Sequence, residues 1–177
     1  MDSGIKKLIK TALLYGALCA GLLMVLFVVL FVGGKHPQMI NPVLDIRLVL
    51  LPVFMFLSLK IYRDNLNGGV LHLWQGLIGG AIIVVVVGLL MMAFISIYGQ
   101  LETEYVPRYV SEITQFFEKG RPAFVEQQGE EVLDAQLEKL PHTTAFALAL
   151  DYFWKTLLIG VFWNIIISII IRKQPKF

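Results

Sequence analysis

One cysteine, Cys19, in 177 residues excludes an internal disulfide framework and a thiolate metal centre. Charge is scarce as well: Asp, Glu, Lys and Arg make up 16% of the chain, against about a quarter of an ordinary soluble domain. The three histidines, His36, His72 and His142, fall in three separate stretches, so no metal is expected. The basic residues form no face on one compact element, which argues against a nucleic-acid partner. A phosphate-cradling loop would need a strand and a Gly-rich spacing that are missing, and no cofactor is expected. No constellation of residues is recognisable as catalytic.

What the chain has in abundance is apolar sequence. Hydrophobic residues make up 57%, and they concentrate in four runs, at 8–32, 43–61, 70–98 and 145–171. About 20 mostly apolar residues cross a hydrocarbon layer of about 30 Å, so each run is a candidate transmembrane helix. The fold expected is all-α: one polytopic membrane domain over 1–177 with four spans and an amphipathic helical outer loop over 100–144. Lys6 and Lys7 before the first run imitate a signal peptide. That run is longer than an h-region of about 7–15 residues, so a retained span is the expectation. Leu18 stands before Cys19 where a lipoprotein cleavage box wants a small residue, which argues against lipidation.

Charge sets the orientation. Lys6, Lys7 and Lys10 precede the first run, Lys60 and Arg63 separate the second from the third, and Arg172, Lys173 and Lys176 follow the fourth. The positive-inside rule places these short segments, and both termini, in the cytoplasm. The stretch from Gln100 to Thr144 is then outside. It carries nine acidic and four basic residues, a local charge of −5. Val106, Tyr109, Val110, Ile113, Phe116 and Phe117 recur at helical spacing and predict an amphipathic helix over 105–118. Gly120, Pro122 and Gly129 interrupt it, and a second helix is expected over 130–140, closed by Pro141. The apolar faces rest on the bilayer or the span ends in one reading and form a partner-docking cap in the other. Acidity disfavours attachment to anionic lipid.

The second run breaks the pattern. Twelve residues, Leu48 to Leu59, separate Arg47 from Lys60, about 18 Å of helix against about 30 Å of hydrocarbon. Either the cations snorkel to the headgroups or Arg47 pairs with a carboxylate. Asp45 lies nearly opposite Arg47 if both are helical, so a partner on another span is the better expectation. Asp151 and Lys155, four apart at the outer end of the fourth run, form a local ion pair. Asp45, Arg47, Asp151 and Lys155 are therefore a candidate charged cluster, either a clamp joining spans two and four or a headgroup site for an anionic lipid. Pro52 frees the carbonyl of Leu48. The centres of the spans lack the ionisable groups a proton or ion path would need.

Small residues repeat at four-residue spacing: Ala12, Gly16 and Ala20 in the first run, Gly76 and Gly80 in the third, Thr156, Gly160, Asn164 and Ser168 in the fourth. Such stripes let helices pack closely, and Asn164 is a candidate to meet Gln75.

The segment between spans two and three is the richest in polar residues on the inner side. It reads Tyr62-Arg63-Asp64, then Asn67-Gly68-Gly69, then Trp74-Gln75-Gly76 leading into a glycine-bearing span. Asn67-Gly68-Gly69 is a turn sequence that Arg63 and Asp64 can hold against the headgroups, with docking of a cytoplasmic partner as the functional alternative. The same pattern, with four spans and a long outer loop before the last, resembles the bacterial, Bacteroidetes-type membrane family known as domain of unknown function 4199. The resemblance implies an integral inner-membrane protein with no assigned activity, and so no catalytic residues to transfer.

A non-enzymatic scaffold or regulator of another envelope component is the reading favoured, with membrane lipid and a protein partner or a second copy as its contacts. An enzyme or binding protein for an anionic lipid or lipid-linked substrate at the outer leaflet is the alternative, and a small transporter subunit the third.

Overall fold

The computed structural model describes residues 3–40 and 45–174; Val43 and Leu44, which open the second apolar run, and the flanking Lys176 lie outside the described residues. The described chain is helical: α1 (Ser3–Val32), α2 (Arg47–Ile61), α3 (Leu73–Leu101), α4 (Tyr105–Lys119), α5 (Arg121–Gln128), α6 (Glu130–Lys139) and α7 (Ala145–Ile171). Helices α1, α3 and α7 are long and apolar enough to cross a membrane; α2, at 15 residues, falls below that length. A π-helical turn, Tyr62–Leu66, continues α2 without a break.

Local sequence explains where the helices stop. At the end of α1, Gly34 adopts φ +86°, and the Lys35 N–H reaches the Leu30 carbonyl while the Gly34 N–H reaches that of Phe31. This paired closure needs a left-handed residue, and glycine takes that conformation without a Cβ clash. Helix α3 starts at His72 through a reciprocal cap, in which the Gln75 side chain accepts the His72 N–H at 3.0 Å. Its first helical residue is Leu73 and its last Leu101, so the helix is displaced by three residues towards α4 from the apolar run at 70–98.

The four long elements pack together. Helices α3 and α7 are antiparallel, and their small residues set the register. A Cβ added to Gly76 would meet Ser168 at 2.9 Å, one on Gly80 would meet Asn164, one on Gly160 would meet Val84, and one on Gly99 would meet Ala145 at 2.7 Å. Each step of four along α3 matches a step of four back along α7. Helix α1 runs parallel to α3, with Leu8 against Gly79, Gly16 against Ile83 and Val86, and Phe27 against Phe94 and Tyr98. Helix α2 runs parallel to α7: its first residue touches Tyr152 and Thr156, and Arg63 in the turn after it touches Ile171. Two ends result. One gathers the start of α1, the 62–72 connection and the end of α7; the other carries α4, α5 and α6 as an arm.

Within the arm, α4 and α6 occupy the two stretches whose apolar spacing predicts helix. The interval read as an interruption is itself the helix α5. Pro122 sits in its first turn, where a missing N–H costs nothing, and Gly129 at φ +87° ends it. Proline and glycine here delimit a short helix rather than prevent one.

Candidate functional site

At the arm end, α2 is shorter than the neighbours it packs between, and Pro37, Gln38 and Ile40, which follow α1, line the space over its first turn. A cavity of about 390 Å³ lies there. Leu23, Phe27, Leu30, Leu158 and Ile159 form its apolar wall, while Gln38, Asp45, Arg47, Asp151 and Lys155 line it with polar groups.

Arg47 is buried, and its guanidinium is almost fully occupied. Nε donates to both Asp45 carboxylate oxygens at 2.9 Å, and Nη2 closes the bidentate pair on Oδ2. Nη1 donates to the Tyr152 carbonyl at 3.2 Å and to Thr156 Oγ1 at 3.0 Å, while the guanidinium carbon lies 4.0 Å from the centre of the Tyr152 ring. The expectation that Asp45 faces away from Arg47 is wrong for a local reason. Asp45 precedes the helix, and its Oδ1 also accepts the Arg47 N–H at 2.9 Å, so the side chain folds back over the first turn. The partners on another element are the α7 carbonyl and hydroxyl rather than a carboxylate.

Asp151 and Lys155 form their own pair at 2.6 Å, both about half exposed. The four charged residues thus stand around one cavity as two separate ion pairs, of which only the first ties α2 to α7 by hydrogen bonds. Sequence reasoning missed Gln38. Its Nε2 donates to the Leu148 carbonyl at 2.7 Å, and its buried Oε1 has no partner among the described residues. A lone glutamine in a connecting segment carries no signal by spacing.

Next to the cavity the arm is rooted by aromatic rings. Tyr105, fully buried at the start of α4, packs on Phe27, Phe31, His36 and Tyr98. Arg108 donates to the Phe31 carbonyl at 3.3 Å, covering the end of α1, and pairs with Glu112 at 3.1 Å. Burial pushes the His36 imidazole down to about 4, with the Arg108 charge acting in the same direction. His36 is therefore neutral at physiological pH and serves as an aromatic packing group.

The opposite end is a hydrogen-bonded knot. Gly68 and Gly69 turn the chain at φ +62° and +78°. Asn67 Nδ2 donates to the Val70 carbonyl at 2.7 Å, and Gln75 Nε2 to the hydroxyl of the buried Tyr62 at 3.4 Å. Arg63 pairs with Asp64 at 2.6 Å, which holds the Asp64 carboxyl below its usual range, and donates to the Ile171 carbonyl at 3.1 Å. Leu71 and Lys173 exchange two backbone hydrogen bonds at 2.9 Å. These contacts bind the last turn of α7 to the connection, whereas Trp74 faces outward. Asn164 does not meet Gln75: it lies one turn further along α3, donating to the Leu77 carbonyl at 3.0 Å and accepting from Ser168 Oγ at 3.2 Å. Gly76, Gly80 and Gly160 lie in the same α3–α7 contact.

Residues 14–173 match the profile of a family described as protein of unknown function (DUF4199). No curated protein and no solved structure matches the chain.

Proposed function

We propose, for a chain that belongs to the family of proteins of unknown function DUF4199, a four-span protein of the bacterial inner membrane that works without catalysis, as a scaffold or regulator docking another envelope protein through its arm. In this reading α2 with its π-helical turn is the second span, helped across by Arg47 and Lys60 at its ends. Lys6, Lys7, Lys10, Lys60, Arg63, Arg172 and Lys173 all belong to the end of the bundle that holds the start of α1, which the positive-inside rule assigns to the cytoplasm. The arm is then outside.

The observation that carries the docking role is the elbow between α4 and α5. Phe116, Phe117 and Phe124 pack edge to face with centroids 5.1–5.9 Å apart, and Phe116 remains 55% exposed. An exposed aromatic cluster on a segment with a net charge of −5 is complementary to a protein surface that is apolar at its centre and basic at its rim. Acidic residues around it, including Glu118 and Glu126, oppose adsorption to anionic lipid.

A photo-crosslinking amino acid placed at Phe116 of the full chain in cells tests this. The expected product is one discrete protein adduct that disappears when Glu118→Lys and Glu126→Lys are combined. Adducts with lipid alone, or with a second copy of the chain alone, would overturn docking to another protein.

A further inference from the structure

The cavity at the arm end has the chemistry of an amphiphile site, and its contents can be narrowed. Its volume of about 390 Å³ lies within the range of ligand pockets, roughly 300–1,000 Å³. Along α7 its lining changes in order: Asp151, then Lys155, then Leu158 and Ile159. That is about 12 Å of helix passing from charged to apolar in the direction from the arm to the bundle centre. Leu158 is 73% exposed, and Asp151 and Lys155 are about half exposed, so the mouth opens sideways from the bundle. In the membrane-embedded reading proposed above, on which this inference rests, that mouth faces lipid just below the headgroups.

The charges then choose the headgroup. Two carboxylates and two cations line the cavity, so it offers no surplus positive charge to an anionic lipid. Arg47 is already held by Asp45, Tyr152 and Thr156. Unspent capacity remains on two groups. Lys155 uses one contact on Asp151 Oδ2, and Asp151 retains acceptor positions. One cation beside several acceptors matches a phosphate ester followed by an N–H donor.

We infer that the cavity binds an amine-bearing zwitterionic phospholipid, with its phosphate on Lys155, its ammonium on Asp151, and the upper part of an acyl chain along Leu158, Ile159 and Leu23. A choline head carries no N–H for the Asp151 carboxylate. A glycerol head has hydroxyl donors but leaves one negative charge uncompensated.

The test is native mass spectrometry of the full chain in mild detergent, titrated in turn with dioctanoyl phosphatidylethanolamine, phosphatidylcholine and phosphatidylglycerol. The ethanolamine lipid should bind about tenfold more tightly than either of the others, the scale of one charge-assisted hydrogen bond. Asp151→Asn should abolish the preference over choline, and Lys155→Gln should weaken all three. Both side chains are half exposed, so an unchanged melting temperature verifies the fold of each variant. Equal binding of the three lipids, preference for phosphatidylglycerol, or a preference untouched by Asp151→Asn would overturn the assignment. Neither residue lies in the arm, so those results with the Phe116 adduct intact count against this site alone.

Discussion

Replacing Arg47 by methionine is expected to cost about 3–5 kcal/mol of stability, the range for removing one partner of a buried ion pair. Arg47 is 6% exposed, and its guanidinium serves Asp45 beside α2 and two acceptors on α7. Its loss leaves the Asp45 carboxylate mostly buried without its counter-charge, and the Tyr152 carbonyl without the α2 contact. Thr156 Oγ1 still donates to that carbonyl at 2.8 Å, so the damage falls mainly on the carboxylate. Two further variants separate charge from packing. Arg47→Lys should recover little, because an ammonium cannot span Asp45 and the α7 groups as a planar fork does. Asp45→Asn combined with Arg47→Met should recover most of the loss, since the uncompensated charge is gone. Thermal unfolding of the full chain in one detergent reads all three. If Arg47→Met melts as the native chain does, the α2–α7 clamp is not a structural element.

Gly80→Ala is the second large effect, expected at about 3 kcal/mol. The added methyl would lie 2.6 Å from Asn164 Cγ and closer still to its amide oxygen. Overpacking of this kind costs about 1–3 kcal/mol. Asn164 cannot simply rotate away, because it is held at both ends of its amide by Leu77 and Ser168, and leaving them adds the cost of unmade hydrogen bonds. The clash therefore moves the helix or breaks the polar contact. Asn164→Ala should relieve it, so the double variant Gly80→Ala/Asn164→Ala should be more stable than Gly80→Ala alone. A double-mutant cycle in the same detergent measures this coupling. Simple additivity of the two changes would mean that Gly80 and Asn164 do not touch.

How much of this was readable in advance depends on the interaction involved. Long apolar runs show directly as helices, and α7 covers the interval 145–171 residue for residue, because Thr144 caps its start and its apolar sequence ends at Arg172. The four-residue spacing of Gly76, Gly80, Gly160 and Asn164 is equally local, and close helix packing is its common consequence. What spacing does not carry is which residue on the facing helix fills the gap. Asn164 faces Gly80 and reaches the Leu77 carbonyl rather than Gln75, because the α3–α7 register sets it about one turn further along α3 than that pairing needs. Gln75 is instead drawn back to His72 and Tyr62 by the cap at its own helix start.

Helical spacing misplaces Asp45 relative to Arg47 because Asp45 stands before the first turn of α2. Two residues apart on a helix are not neighbours, but a residue before the first turn is free to fold onto it. Pro122 reads as a breaker by residue type, but it stands at the start of α5, where proline is tolerated. Gln38 and the root of the arm on Tyr105 and His36 depend on contacts between distant segments, for which no local pattern exists.

The claim on which both the proposed docking role of the arm and the proposed lipid site depend is that α2 crosses the bilayer. Impermeant maleimide labelling of single cysteines at Lys119→Cys and Gln174→Cys in intact cells tests it, with the buried Cys19 as an unreactive background. With α2 as a span, position 119 labels in intact cells and position 174 labels only after permeabilisation. If α2 does not cross, α3 and α7 reverse their direction; position 174 would then label from outside and position 119 would not, which contradicts the account.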